Sequence, residues 1–133
     1  MKLKNLTLTL IILAVSHSPV IAEGWERTSP FLDVRVQHEQ IFVDFEGTLY
    51  QLQEVNGEPT ANLLLVAKKE FGTKWKKRII EDLPEVLEAA GHTSSDQTSL
   101  VLRELGSEKT KHVSRAKFTT ENRREIMRRG YTE

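Results

Sequence analysis

The chain has 133 residues, with 19 basic and 19 acidic residues, and it contains no cysteine. This length is enough for one modest hydrophobic core, so we expect a single domain rather than several. The absence of cysteine excludes a disulfide framework and any metal site built on thiolates.

The first 22 residues predict a secretory signal peptide. Lys2 and Lys4 form a basic start, and residues 6–15 are apolar except for two threonines. After a short polar break, Val20 and Ala22 supply small residues at the −3 and −1 positions of a cleavage site. A membrane-spanning helix needs roughly 20 apolar residues, about twice the length of this segment. We therefore expect cleavage after Ala22, export to the periplasm or the cell exterior, and no transmembrane segment in the mature chain.

Removal of residues 1–22 leaves one expected domain, residues 23–133, and changes the charge balance. Lys2 and Lys4 are lost, so 17 basic residues remain against 19 acidic ones, a net charge of −2. An exported chain with this charge has little basis for binding the phosphate backbone, so we expect no nucleic-acid partner.

The first half of the mature chain has the pattern of strands joined by tight turns. Apolar residues alternate with polar ones over residues 32–36 and 41–45, which predicts two half-buried strands. A third strand is predicted over Thr48–Val55. Gly47 and Gly57 stand where two-residue hairpin turns require a positive φ.

A helical region follows. Pro59 and Thr60 predict the beginning of a helix with Thr60 as its N-cap. Apolar residues at helical spacing over residues 75–83 predict a second helix. Because Pro84 would remove a hydrogen bond inside a helix, we expect either two helices that meet near Asp82 or one helix kinked there. If there are two helices, Asp82 is the N-cap of the second one, and Glu85 forms a capping-box pair with it.

The last part of the chain predicts a second pair of strands and a short basic helix. The strands fall at residues 99–103 and 109–113, and Thr119 or Thr120 caps a helix that ends before Gly130. Since Ile126 and Met127 are its only large apolar residues, we expect this helix to lie loosely against the domain or to fray. The predicted fold is α+β: a small single domain in which an antiparallel sheet of four or five strands packs with two or three helices.

The sequence contains no recognisable catalytic or cofactor-binding constellation. His38, His92 and His112 each stand alone, without the clustered ligands that zinc or iron requires. No serine lies on a G-x-S-x-G turn, and no glycine-rich phosphate loop is present. We therefore assign no catalytic, cofactor-binding or metal-ligating residue and predict a protein that is not an enzyme.

Four carboxylates bunch in the second helical region: Glu81, Asp82, Glu85 and Glu88. They could in principle serve as an acid–base pair or bind calcium. Because no glycine-bearing calcium loop accompanies them, we expect a solvated acidic face instead.

Two basic stripes occur in the predicted helices. The first comprises Lys74, Lys76, Lys77 and Arg78; the second comprises Arg123, Arg124, Arg128 and Arg129. We expect Phe71 and Trp75 in the core, with the neighbouring lysines covering them from outside. The alternative is that both stripes dock on an anionic surface.

The segment from Tyr50 to Pro59 is a strand that ends in Val55-Asn56-Gly57 before a helix, and it is similar to the strand and turn of PDZ domains. Farther along, a helix end, a polar loop and a closing strand that ends on Arg103 resemble the last part of the same fold. The resemblance extends from about Phe45 to Leu105. It implies capture of an extended peptide beside a strand, by β-augmentation. No carboxylate-binding loop can be located, so the resemblance assigns no ligand residues.

The leading hypothesis is an exported, non-enzymatic binding or interaction module, PDZ-like, that recognises a peptide or a partner protein. The alternative is an exported protein that adheres to anionic surfaces through its basic helix faces, and a third hypothesis is a hydrolytic site assembled from distant residues. An open apolar groove beside Thr48–Val55 favours peptide binding, whereas a covered strand there favours a structural role.

Overall fold

A computed structural model describes residues 27–130, so the predicted signal peptide lies outside the described residues. Within this range six strands and four α-helices form one α+β domain, which confirms the predicted fold class. The strands are β1 (Asp33–Gln37), β2 (Gln40–Phe45), β3 (Thr48–Val55), β4 (Glu58–Pro59), β5 (Gln97–Glu104) and β6 (Thr110–Lys117). The helices are α1 (Thr60–Phe71), α2 (Trp75–Glu81), α3 (Leu83–Ala89) and α4 (Thr120–Arg129).

Two-residue turns connect the first four strands. Their central residues are His38-Glu39, Glu46-Gly47 and Asn56-Gly57. All six have positive φ, between 47° and 93°. Positive φ at both positions is the type I′ geometry, whose twist matches that of the flanking strands. The two glycine-containing turns are confirmed, and the first turn forms without a glycine.

The strands pair in the order β1-β2-β3-β5-β6, and every pair is antiparallel. β3 is central because β2 pairs along one side and β5 along the other, while the short β4 pairs with its end. No open groove therefore runs beside Thr48–Val55, and this strand is the covered one. By the criterion given above, a covered strand favours a structural role for Thr48–Val55 over peptide binding there. Among residues 27–130, β1 and β6 are the strands that have a paired neighbour on one side alone.

The helices cover one face of the sheet. α1 packs on β2 and β3, while α2 and α4 pack near β1. The side chains that alternate toward this face are fully buried, as in Val43, Leu52 and Leu102. Phe31 and Phe45 add an edge-to-face aromatic contact with ring centroids 6.5 Å apart. β6 contributes little to this core, since most of its residues are exposed.

The helical region is interrupted at Asp82, as Pro84 predicts. α2 ends at Glu81 and α3 begins at Leu83, with Pro84 in the first turn, where its missing N–H is not needed. The predicted capping pair is wrong, because the Asp82 side chain makes no cap hydrogen bond. The predicted Thr60 cap is also wrong, since Pro59 occupies the N-cap position and Thr60 is the first helical residue.

The expected solvated acidic face is wrong for Glu81 and Asp82, whereas Glu85 is half-buried and Glu88 is exposed. Glu81 and Asp82 are buried, because two arginines neutralise them. Arg78 lies 3.0 Å from the Asp82 carboxylate, and the Arg123 guanidinium lies 3.5 Å from Asp82 and 3.7 Å from Glu81. Arg123 also donates to the Glu81 carbonyl at 3.2 Å. Buried carboxylates persist only with such partners, and one partner is 42 residues away in sequence.

The same contacts hold α4 against the domain, so the expectation of a loose or frayed helix is wrong. Thr119 is its N-cap and accepts a hydrogen bond from the Asn122 backbone at 3.1 Å, as predicted. Ile126 is fully buried, and Arg123 anchors the polar side of the helix. One buried isoleucine and one half-buried arginine therefore replace the long apolar stripe that the sequence lacks.

The anchoring of α4 can be measured by comparing two neighbouring substitutions. Ile126→Ala should lower the free energy of unfolding by about 2–4 kcal/mol, because it leaves a cavity under α4. Met127→Ala, at a side chain that is 45% exposed, should change it by less than about 0.5 kcal/mol. Urea unfolding followed by circular dichroism gives both values. Equal, small losses for the two variants would show that α4 contributes little to stability.

Candidate functional site

A groove of about 700 Å³ lies along the outer edge of β6. Seven consecutive residues of β6, from Lys111 to Lys117, line one wall. The opposite wall comes from the segment before β1 and from the β2–β3 turn: Pro30, Leu32, Phe45 and Glu46. Thr119 and Asn122 line the groove as well. We call this feature the β6 groove.

One end of the β6 groove is closed by a backbone bridge between the segments that flank the two edge strands. Ser29 donates to the Thr119 carbonyl at 3.1 Å, and Thr119 donates back to the Ser29 carbonyl at 3.0 Å. The Asn122 side chain adds a hydrogen bond to the Ser29 carbonyl at 3.1 Å. Beyond this bridge the two walls are not paired, so the sheet is closed at one end and open along β6.

The lining of the β6 groove is apolar toward the core and polar at its rim. Val113 is half-buried and packs against the core, and Ala116 is buried. Across the groove, Phe45 is buried and Leu32 is half-buried. Apolar side chains at depth combined with a strand whose outer edge is free are the features of a surface that accepts another extended chain.

The rim of the β6 groove is strongly basic. Lys111, Arg115 and Lys117 are exposed on β6, and His112 lies among them. Within residues 27–130 none of these side chains forms an ion pair with a carboxylate of the chain. The acidic side chain among the lining residues is Glu46. The groove therefore has a positive rim, although the mature chain is expected to be slightly acidic overall.

A second concavity, of about 570 Å³, lies on the sheet face opposite the helices. Its apolar part is formed by Phe42 with two unusually exposed leucines, Leu49 and Leu105. Its charged groups are paired with one another: Arg35 lies 3.1 Å from Asp33, and Arg129 lies 3.0 Å from Asp44. Because these charges neutralise each other, this face has no electrostatic preference for a cationic or an anionic ligand.

The basic stripe on α4 is largely engaged within the chain. Arg123 is held by the buried carboxylates, and Arg128 and Arg129 both bind Glu125, at 2.6 and 2.7 Å. Hydrogen bonds from these two arginines lower the pKa of Glu125 to about 2. Of the four arginines in the predicted stripe, Arg124 is the exposed one without such an ion pair among the described residues.

Two members of the basic stripe around α2, Lys76 and Arg78, and the neighbouring Lys68 lie over aromatic rings. Phe71 and Trp75 are half-buried against the core, so they are less deeply buried than we expected. The Lys68 and Lys76 ammonium groups lie 4.8 and 5.8 Å from the Trp75 ring centroid, and the Arg78 guanidinium lies 5.6 Å from that of Phe71. These are cation–π distances, and they agree with lysines that cover aromatic residues from outside.

His92 has partners that the sequence did not reveal. Its Nε2 lies 2.8 Å from the Glu58 carboxylate, and its Nδ1 lies 2.9 Å from the Asn56 side-chain amide nitrogen. Because an amide nitrogen can only donate, a neutral imidazole with the proton on Nε2 satisfies both contacts. Asn62 also donates to Glu58. The cluster ties the Asn56-Gly57 turn to the loop before β5.

No group of three or more histidine, aspartate or glutamate side chains within residues 27–130 is arranged to hold a metal ion. No helix in that range has the length and apolar character needed to span a bilayer. Comparisons with known proteins add nothing to these observations: no family model, curated protein or solved structure matches the chain. The function must therefore be inferred from the geometry of the described residues.

The β6 groove is not visible in the sequence. Its walls are separated by more than 60 residues, and they meet because Ser29 pairs with Thr119. β6 itself extends to Lys117, farther than the predicted residues 109–113. The signal that could have indicated it is the run of basic and polar residues without apolar alternation, which is typical of a protected edge strand.

The His92 cluster makes a pH-dependent contribution that can be tested. Hydrogen bonds from His92 and Asn62 hold the pKa of Glu58 below its ordinary value of 4.5. A lowered pKa stabilises the folded state above pH 4.5, and this contribution is lost as the pH falls through the folded-state pKa. In His92→Ala the Glu58 pKa should rise toward 4.5, and less stability should be lost on acidification.

Carbon-13 NMR titration of the Glu58 carboxyl group measures this pKa directly. His38→Ala is the matched control, because His38 is exposed in the first turn and does not contact Glu58. An unchanged Glu58 pKa in His92→Ala would contradict the assigned contact.

Proposed function

We propose that this protein is an exported, non-enzymatic binding module that takes an extended segment of a partner protein as an additional strand along β6. The observation that carries the proposal is the β6 groove: a strand edge with no partner among residues 27–130, beside a cleft of about 700 Å³ that has apolar side chains at its base and a basic rim. The predicted signal peptide supports the exported setting.

Strand addition provides affinity and specificity from different parts of the ligand. The backbone groups along the outer edge of β6 supply hydrogen bonds that do not depend on sequence, while side chains at alternate ligand positions enter the cleft. Lys111 to Lys117 span seven residues, so a ligand of about six residues matches the groove at about 3.3 Å per residue.

The proposed mode of recognition is the one that the PDZ resemblance implies, but its location differs. The resemblance directs attention to Thr48–Val55, and β3 already has partners on both sides. β1, the other edge strand, packs near α2 and α4. Of the two edge strands, β6 is the one that lines the β6 groove, so we place the incoming chain there.

A selection from random peptides tests the proposal and identifies ligands at the same time. Peptides of eight random residues displayed on phage are selected on the protein, and binders are measured by isothermal titration calorimetry. We expect ligands with Kd well below about 1 mM, which corresponds to about −4 kcal/mol. On binding, amides of β6 should gain protection from hydrogen exchange, while those of the central β3 should not change.

Backbone methylation of a selected peptide provides the matched control. Successive N–H groups of a strand point to opposite sides, so only one alternating set can face β6. N-methylation of that set should abolish binding, and N-methylation of the other set should leave it nearly unchanged. The proposal fails if no peptide binds, if both methylated series bind equally, or if β6 amides gain no protection.

A further inference from the structure

The charge of β6 indicates which extended chains it accepts. We infer that the partner segment is acidic, with carboxylates at its rim positions and an apolar residue beside Val113. This inference rests on the proposed strand addition and adds the chemistry of the ligand to it.

The register of β6 places its basic residues on both faces of the strand. Lys111 pairs with Leu102, and Val113 pairs with Leu100. Because both leucines are buried, Lys111 and Val113 lie on the face of β6 toward the core. His112 and Lys117 pair with Val101 and Gln97 on the opposite face. An added strand therefore meets basic side chains on either face and an apolar one at Val113.

Oppositely charged residues that face each other across two strands stabilise the pair, and like charges destabilise it. Since Lys111, Arg115 and Lys117 have no carboxylate partner among the described residues, a ligand carboxylate gains a contact without breaking an existing ion pair. Glu46, on the opposite wall of the groove, would repel a ligand carboxylate. The lining side chains together carry a net positive charge, which favours glutamate or aspartate in the ligand.

The same charges argue against a second copy of this chain as the occupant. Pairing of β6 with β6 would bring two basic strands together, and lysines on a free edge are a common protection against such self-association. The same lysines do not prevent pairing with an acidic strand.

The groove is less suited to other polyanions. Proteins that bind single-stranded nucleic acid stack its bases on exposed aromatic rings, and the aromatic residue that lines this groove, Phe45, is buried. A polysaccharide or nucleic acid also lacks the regular amides that pair with a strand edge. An acidic peptide supplies both the negative charge that suits the basic rim and the regularly spaced amides that pair with the β6 edge.

Three blocked octapeptides test the inference, with valine alternating with glutamate, glutamine or lysine. The glutamate peptide should bind at least about tenfold more tightly than the glutamine peptide, and the lysine peptide should bind most weakly. The advantage of glutamate should shrink as the salt concentration rises from about 0.05 to 0.5 M, because the rim charges are exposed to solvent.

Two sets of substitutions locate the effect. Lys111→Gln with Lys117→Gln should remove most of the difference between the glutamate and glutamine peptides. Lys69→Gln with Lys77→Gln changes the net charge equally at exposed helical positions and should leave the difference intact.

The outcomes separate this inference from the proposed function. If the glutamine peptide binds as well as the glutamate peptide and still protects β6 amides, strand addition stands and the acidic preference is wrong. If no peptide protects β6, including those selected from the random library, the proposed function fails. Heparin is the competing polyanion. If it displaces the glutamate peptide and binds as tightly as that peptide at the same concentration of negative charge, the groove is a general polyanion site and the inference is overturned.

Discussion

The antiparallel bridge between Ser29 and Thr119 is the constraint on which the shape of this protein depends. It joins the segment that leads into β1 to the segment that leads out of β6, at opposite ends of the strand order. Without it the sheet would have two separate edges and no cleft between them. With it, the cleft has a fixed end, and Asn122 holds that end by a hydrogen bond to the Ser29 carbonyl.

The bridge is in turn positioned by the helices. Thr119 is both a bridge residue and the N-cap of α4, so the orientation of that helix and the closure of the sheet are set together. Arg123, one turn farther along, reaches the buried carboxylates where α2 ends. The ion pairs at the helix junction and the bridge at the sheet edge are thus connected through the first turn of α4.

Local patterns in the sequence were sufficient for most elements. Alternating apolar residues located the first strands, Gly47 and Gly57 located two turns, and Pro84 located the helix break, because each depends on the conformation of a few adjacent residues. The burial of Glu81 and the pairing of Glu58 with His92 depend on partners 42 and 34 residues away. The extent of β6 was missed because only Val113 and Ala116 of this strand are buried or half-buried, which is too few for an apolar alternation to be detected.

The short turns described above also have a kinetic meaning. β1 to β4 are joined by three two-residue connections, so their contacts are local and can form in microseconds. β5 pairs with β3 across the whole helical region, and the Ser29–Thr119 pair joins residues 90 positions apart; such long-range contacts cost more loop-closure entropy than the hairpins do. The meander therefore depends on local contacts, whereas the closed end of the β6 groove depends on a contact between distant parts of the chain.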